Sequence, residues 1–219
     1  MTRPQVPQSG GRKILQVLES TAVVGFAAMT SCGRAIFETD IGPCGIAWDG
    51  GRVAGVQLPE RDAERTRARL ARRFPHWAEA APPADIERII DDIRSLLRGE
   101  ARDFRAVALT LDSVPEFNRR VYEIARTIAP GETLTYGEVA SRLGDRMLAR
   151  EVGQALGQNP FPIIVPCHRV LAAGGRTGGF SGGGGVTTKL RLLSIERAQP
   201  SGPTLFDDLP LVARRASRT

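Results

Sequence analysis

The hydrophobic periodicity of this 219-residue chain changes at Pro115, and that change limits the folds open to it. Upstream, "AIFETDIGPCGIAWDGGRVAGVQL" (from Ala35) holds two alternating apolar runs divided by "DGG", with a glycine turn at "DIGP" before them. Turn chemistry between period-two runs predicts strands joined as hairpins. Residues 60–74 carry few strand signals and read as a charged helix. In "PADIERIIDDIRSLLRGE" (83–100), Ile86, Ile89, Ile90, Ile93, Leu96 and Leu97 recur at helical spacing before Gly99 stops the pattern. "VALTL" (107–111) reads as one more short strand. Downstream the texture is helical, with Phe117, Val121, Ile124 and Ile128 on one stripe of 115–128. "TYGEVASRLG" (135–144) and "AREVGQALGQNP" (149–160) are two short helices with a tight connection, and "TTKLRLLSIERA" (187–198) is a last helix.

These patterns predict an α+β N-terminal domain over 32–112, then a mainly α C-terminal domain over 113–198 carrying a winged-helix-like helix-turn-helix. Residues 1–31 read as an extension and 199–219 as a loosely ordered tail. "TAVVGFAAMTSC" (21–32) is similar to a short secretory core, but Glu19 and Ser20 interrupt it and no run reaches the ~18 apolar residues of a membrane helix. A cytoplasmic location is expected.

A formal charge of +6 favours a polyanionic partner. The arginine tract "RTRARLARR" (65–73) reads by itself as a solvated helix face. The three cysteines, Cys32, Cys44 and Cys167, make no CxxC pair and no even framework, so free thiols are expected. Cys32, Cys44 and His76 come from distant loops and fall short of a four-ligand set, so no metal centre is expected. The glycine-rich "AGGRTGGFSGGGGV" (173–186) lacks the P-loop order and opens no βαβ unit, and no cofactor is expected.

"IIVPCHRVL" (163–171) sets Cys167 directly before His168. A thiol attacks only as thiolate, burial in an apolar run raises its pKa, and activation needs a base or a positive field. Neighbouring side chains usually point apart, so adjacency leaves two readings: a reactive pair, or a buried thiol beside an incidental imidazole.

"NPFPIIVPCHRV" (159–170), the helix pair before it and "GGFSGG" (178–183) after it together resemble the O6-alkylguanine-DNA alkyltransferases, also called methylated-DNA–protein-cysteine methyltransferases. The likeness covers 115–198 strongly and 35–111 weakly. It implies stoichiometric, irreversible transfer of an alkyl group from O6-alkylguanine, and from O4-alkylthymine, in double-stranded DNA to Cys167. It implies His168 as the base that acts through a water, Glu196 as its orienting group, and Tyr136 as proton donor to the leaving guanine. Arg150 resembles the arginine that enters the base stack, with Thr135, Ala149, Gly153 and Arg169 as further DNA contacts. Asn159 resembles a brace of the turn, and Val170, Phe180, Ser181 and Gly182 resemble the walls that read the guanine. A cysteine at the nucleophile position sets the chain apart from alkyltransferase-like sensors, which carry tryptophan there. The resemblance also implies a monomer associated with the bacterial nucleoid.

Three positions depart from the pattern. Phe180 replaces a frequent tyrosine, Glu151 follows the finger where small residues are frequent, and the loop after Gly183 is about two residues longer than the vertebrate one. In the tail, "TLFDDLPL" (204–211) is an apolar cluster whose Leu205–Phe206 resembles the end of a sliding-clamp-binding peptide.

Overall fold

The computed structural model describes residues 32–198. The tail cluster at Leu205 and Phe206 that resembles a clamp-binding peptide, and the extension before Cys32, lie outside the described residues. Three strands, β1 (Gly33–Phe37), β2 (Cys44–Asp49) and β3 (Arg52–Gln57), pair antiparallel through the two turns read from the sequence. The alternation of β1 buries Gly33, Ala35 and Phe37 on one face. Central β2 buries its first five residues, because it has strands on both sides and helix α1 (Ala63–Arg73) packed across it. Asp62 caps α1 by accepting from the Arg65 amide at 2.8 Å, and arginines occupy its last turn, matching both ends of the helix dipole.

Two features differ from expectation. "VALTL" forms no strand: it meets β3 only at Val53, whose N–H and C=O engage Ala108 and Thr110 at 2.9 Å each. The two-residue β4 (Ala78–Glu79), not foreseen, pairs parallel with β1. Helix α2 (Ala84–Leu97) then buries Ile86, Ile90, Ile93, Leu96 and Leu97.

Helices α3 (Glu116–Arg126), α4 (Tyr136–Arg142) and α5 (Ala149–Gly157) pack on one another as the helix-turn-helix. A capping box opens α4: the Thr135 hydroxyl accepts from the Glu138 amide, and the Glu138 carboxylate accepts from the Thr135 amide. Strand β5 (Leu134–Thr135) pairs parallel with β6 (Val170–Leu171), which fixes the start of α4 against the chain leaving Cys167. Helix α6 (Gly185–Ile195) closes the described region.

The apolar run before Cys167 is a turn and not a strand. Pro160, Pro162 and Pro166 have no N–H to give a ladder. The chain instead folds at Ile163, whose φ is +77°, and Val165 N–H returns to Phe161 C=O at 2.8 Å. Cys167–Arg169 then form a single 3₁₀ turn. The buried residues from β1 to α6 form one continuous cluster. Among the described residues no helix is long and apolar enough to cross a membrane.

Candidate functional site

Cys167 sits at the start of that 3₁₀ turn and lines an open cleft of about 460 Å3. Tyr136, Ala149, Arg150, Gly153, Phe180 and Ser181 line the same cleft. Tyr136 is the first residue of α4, Ala149, Arg150 and Gly153 belong to the first turns of α5, and the glycine-rich loop supplies the rest. The loop crosses close to the tyrosine. A Cβ at Gly178, whose φ is +67°, would fall 2.9 Å from the Tyr136 ring.

Behind the thiol lies a buried polar relay. His168 Nε2 donates to Glu196 Oε1 at 3.0 Å, and Arg169 donates through Nε and Nη2 to both carboxylate oxygens, each at 2.8 Å. Burial pushes the Glu196 carboxyl up, but His168 and Arg169 outweigh it and hold the pKa at about 2, so the carboxylate is ionised. An ionised acceptor at Nε2 fixes the tautomer with the proton on Nε2 and a lone pair on Nδ1. His168 Nδ1 is buried and has no hydrogen-bond partner among the described residues. Burial lowers the His168 pKa despite the neighbouring carboxylate, so the ring is neutral and Nδ1 is a base.

Cys167 is held in a mixed field. Burial raises its pKa, while a hydrogen bond to Asn159 and the charge of Lys189 oppose the rise. Asn159 is itself fixed, with its Nδ2 donating to Val165 C=O at 2.8 Å and its Oδ1 accepting from Phe161 N–H at 2.9 Å. Lys189 is wholly buried, donates to Val170 C=O at 2.6 Å, and sits 5.7 Å from the Tyr136 ring centre. Burial lowers its pKa to about 8. Desolvation likewise raises the pKa of the Tyr136 phenol, which keeps its proton.

The sequence reading missed Lys189. One available signal was spacing, since Lys189, Leu192, Leu193 and Glu196 lie three to four residues apart on α6 and its C-cap. Arg169 requires a correction. It was expected on the DNA, but its side chain is turned inward onto Glu196 and onto Ile128 C=O, at 2.5 Å, and only 4% of the residue is exposed. Val170 is buried and does not line the cleft; its carbonyl accepts from Lys189. Gly182 stands off the cleft, against Leu58 and the Phe180 ring. Cys44 is buried in β2 with its thiol pushed up to about 12 by burial, and Cys32 donates to Asp49 at 3.2 Å.

A cysteine backed by a carboxylate-held imidazole and placed beside a helix-turn-helix defines a class: a DNA-binding protein with a covalent thiol nucleophile. Residues 116–198 match the family model described as 6-O-methylguanine DNA methyltransferase, DNA binding domain. The chain is 36% identical over 171 residues to the methylated-DNA–protein-cysteine methyltransferase of Mycobacterium tuberculosis, covering 78% of this chain and 96% of that one. It is 40% identical over 124 residues to the protein of the same name from Methanothermobacter thermautotrophicus, covering 57% of this chain and 68% of that one. The crystal structure of Mycobacterium tuberculosis OGT in complex with DNA superposes with a TM-score of 0.61 at 34% identity, over 75% of this chain and 92% of that one. The O6-methylguanine-DNA methyltransferase of Pyrococcus kodakaraensis gives 0.60 at 27% identity, over 74% of this chain and 98% of that one. The chain belongs to the methylated-DNA–protein-cysteine methyltransferase family.

Proposed function

We propose that this protein repairs alkylated DNA by direct reversal, moving the alkyl group of an O6-alkylguanine onto Cys167. The observation that carries the reading is one cleft holding Cys167, Tyr136 and Arg150 in front of the His168–Glu196 pair. The O6 substituent is out of reach inside a duplex, so the nucleotide is extruded into the cleft, at a cost of a few kcal/mol. Arg150, exposed at the start of α5, fills the vacated stack, and the first turns of α5 with Ala149 and Gly153 follow the minor groove.

The Cys167 proton passes through a bridging water to His168 Nδ1, whose opposite nitrogen is held by Glu196. Lys189 stabilises the thiolate formed. Attack on the alkyl carbon makes the C–S bond, breaks the C–O6 bond and leaves the electron pair on guanine, which Tyr136 protonates. Phe180 and the Ser181 amide wall the base. Thioether formation consumes the nucleophile, so each molecule acts once. The reagent acts as a monomer in the cytoplasm, at the nucleoid. All the groups assigned to chemistry fall in 113–198, and 32–112 serves as the scaffold that supports them.

Intact-mass measurement after incubation with a duplex containing O6-methylguanine tests this. The expected result is a gain of one methylene on Cys167, absent in Cys167→Ala. An unchanged mass in folded wild-type protein sinks the proposal.

A further inference from the structure

Cys167 borders two cavities. Besides the DNA-facing cleft, a second cavity of about 220 Å3 shares Gly157, Cys167, Phe180 and Ser181 with it. Its far side is built from the scaffold half, by Gln57 at the end of β3 and by Arg69 and Arg73 of α1. The tract that reads in sequence as a solvated helix face thus sends two guanidinium groups toward the nucleophile's cavity.

The charges there do not cancel. Among the described residues Arg73 is anchored by neutral acceptors: Nη1 donates to Val56 C=O at 2.8 Å and Nη2 to Pro160 C=O at 3.0 Å. Arg69 pairs with Glu60 at 2.9 Å. One carboxylate faces two guanidinium groups, and Gln57 Nε2 already spends itself on Leu58 C=O and Glu60. Burial and the like charge of Arg69 both lower the Arg73 pKa, as expected for a cation lacking a counter-ion.

The direction of the reaction decides what fills this space. In a displacement at carbon, sulfur and O6 lie on one line, and whatever else the carbon carries projects sideways from it. With guanine in the first cleft, a substituent longer than methyl must leave the S–C–O6 line beside the thiol. The second cavity opens there, and a methyl group leaves it empty.

We propose that this cavity is a subsite for the O6 substituent, and that Arg69 and Arg73 select adducts ending in a carboxylate, of the carboxyalkyl class. The inference rests on the alkyl-transfer reading above. The thiolate attacks the methylene next to O6, the C–S bond forms as C–O6 breaks, and guanine leaves with the Tyr136 proton. The carboxylate stays on the S-carboxyalkyl cysteine, facing the two arginines. Charge-assisted hydrogen bonds to guanidinium groups are among the stronger polar contacts, and Arg matches a carboxylate fork to fork.

The test uses the full chain and duplexes carrying O6-methylguanine, O6-carboxymethylguanine or O6-carbamoylmethylguanine, the last a neutral match in shape. A second acid–amide pair carries 3-carboxypropyl and its amide, to cover the longer reach. Single-turnover rates give an acid-to-amide ratio for each pair. Arg69 is half-exposed and, among the described residues, pairs with Glu60, so Arg69→Gln leaves the fold intact; Arg73→Lys is the milder second variant. The expected result is an acid-to-amide ratio in wild type about fivefold or more above that in Arg69→Gln for at least one pair, with Glu60→Gln raising it further. Ratios equal within twofold across wild type and these variants, for both pairs, overturn the subsite. Transfer from O6-methylguanine by all of them separates that failure from failure of alkyl transfer itself.

Discussion

His168 donates to Glu196 across 3.0 Å with both side chains sealed, 1% and 2% exposed. Arg169 shares the carboxylate through its guanidinium, and the pair fixes which imidazole nitrogen is left to take a proton. Glu196→Gln removes the anion that selects the tautomer and strands a buried Arg169. The expected loss of stability is about 3–5 kcal/mol, the usual cost of breaking a buried pair from one side. The rate of Cys167 alkylation by free O6-benzylguanine is expected to fall about 10²–10⁴-fold, the worth of a general base. Because the folded pKa of Glu196, about 2, lies below the unfolded value near ~4.3, its stabilisation is present at neutral pH and is lost as pH falls through that window. Acid denaturation curves check this. Identical acid limbs for wild type and Glu196→Gln would contradict it.

Lys189 offers a second prediction, in which stability and reactivity move in opposite directions with pH. Its folded pKa of about 8 lies below that of a free lysine, so the folded protein loses this proton first as pH rises. Between about 8 and the unfolded value near ~10.4, the unfolded chain binds more protons, and this residue's contribution to stability rises with pH. Its help to the thiolate follows the reverse course. The alkylation rate of wild type relative to Lys189→Met is expected to be about 10-fold or more at pH 7, and to shrink toward unity above pH 8, as the neutral amine stops stabilising sulfur. A ratio that stays flat across pH 6–10 removes the charge effect and leaves Lys189 a packing residue.

The legible parts of the site were those set by local pattern. Thr135 capping α4 and the spacing of 149–160 place Tyr136 and Arg150 whatever the tertiary fold does, and both line the cleft. The α+β half was readable because turn residues and alternation agree there. What escaped were side chains whose partners are backbone carbonyls far away in sequence. Lys189 reaches Val170 C=O and Arg73 reaches Pro160 C=O, and carbonyls leave no trace in residue identity. Arg169 was misplaced for a related reason. An arginine next to a DNA-facing motif looks like a phosphate contact until the fold turns it onto Glu196. The three prolines around Cys167 have no N–H to give a ladder, and the apolar run turns there at Ile163.

Gly178 tests how tightly the glycine-rich loop is set against Tyr136. Its positive φ costs an L-residue about 1 kcal/mol, and the added methyl must displace the Tyr136 ring or the loop. Gly178→Ala is expected to lower the alkylation rate with free O6-benzylguanine about tenfold, while the melting temperature moves by only a few degrees. A tyrosine fluorescence change confined to this variant would mark the displaced ring. Unchanged kinetics would show that the loop yields without touching Tyr136.

Arg150 and Arg169 were assigned together from sequence, and their separation in the structure makes the sharpest comparison. Arg150 is exposed and lines the cleft mouth, while Arg169 is sealed behind the thiol. Extrusion of the target nucleotide costs a few kcal/mol, and a side chain that fills the hole recovers part of it only when there is a stack to fill. Arg150→Ala is therefore expected to slow repair of duplex O6-methylguanine about 10–100-fold while leaving the reaction with free O6-benzylguanine within about twofold of wild type. Arg169→Met should behave the other way round: both reactions slow together, because Glu196 and through it His168 lose their anchor, and the salt dependence of DNA binding keeps its slope. Parallel single-turnover assays and a salt titration of duplex affinity decide between them. Equal losses on duplex and free base for Arg150→Ala would remove it from base extrusion, and a shallower salt slope for Arg169→Met would return that residue to the DNA.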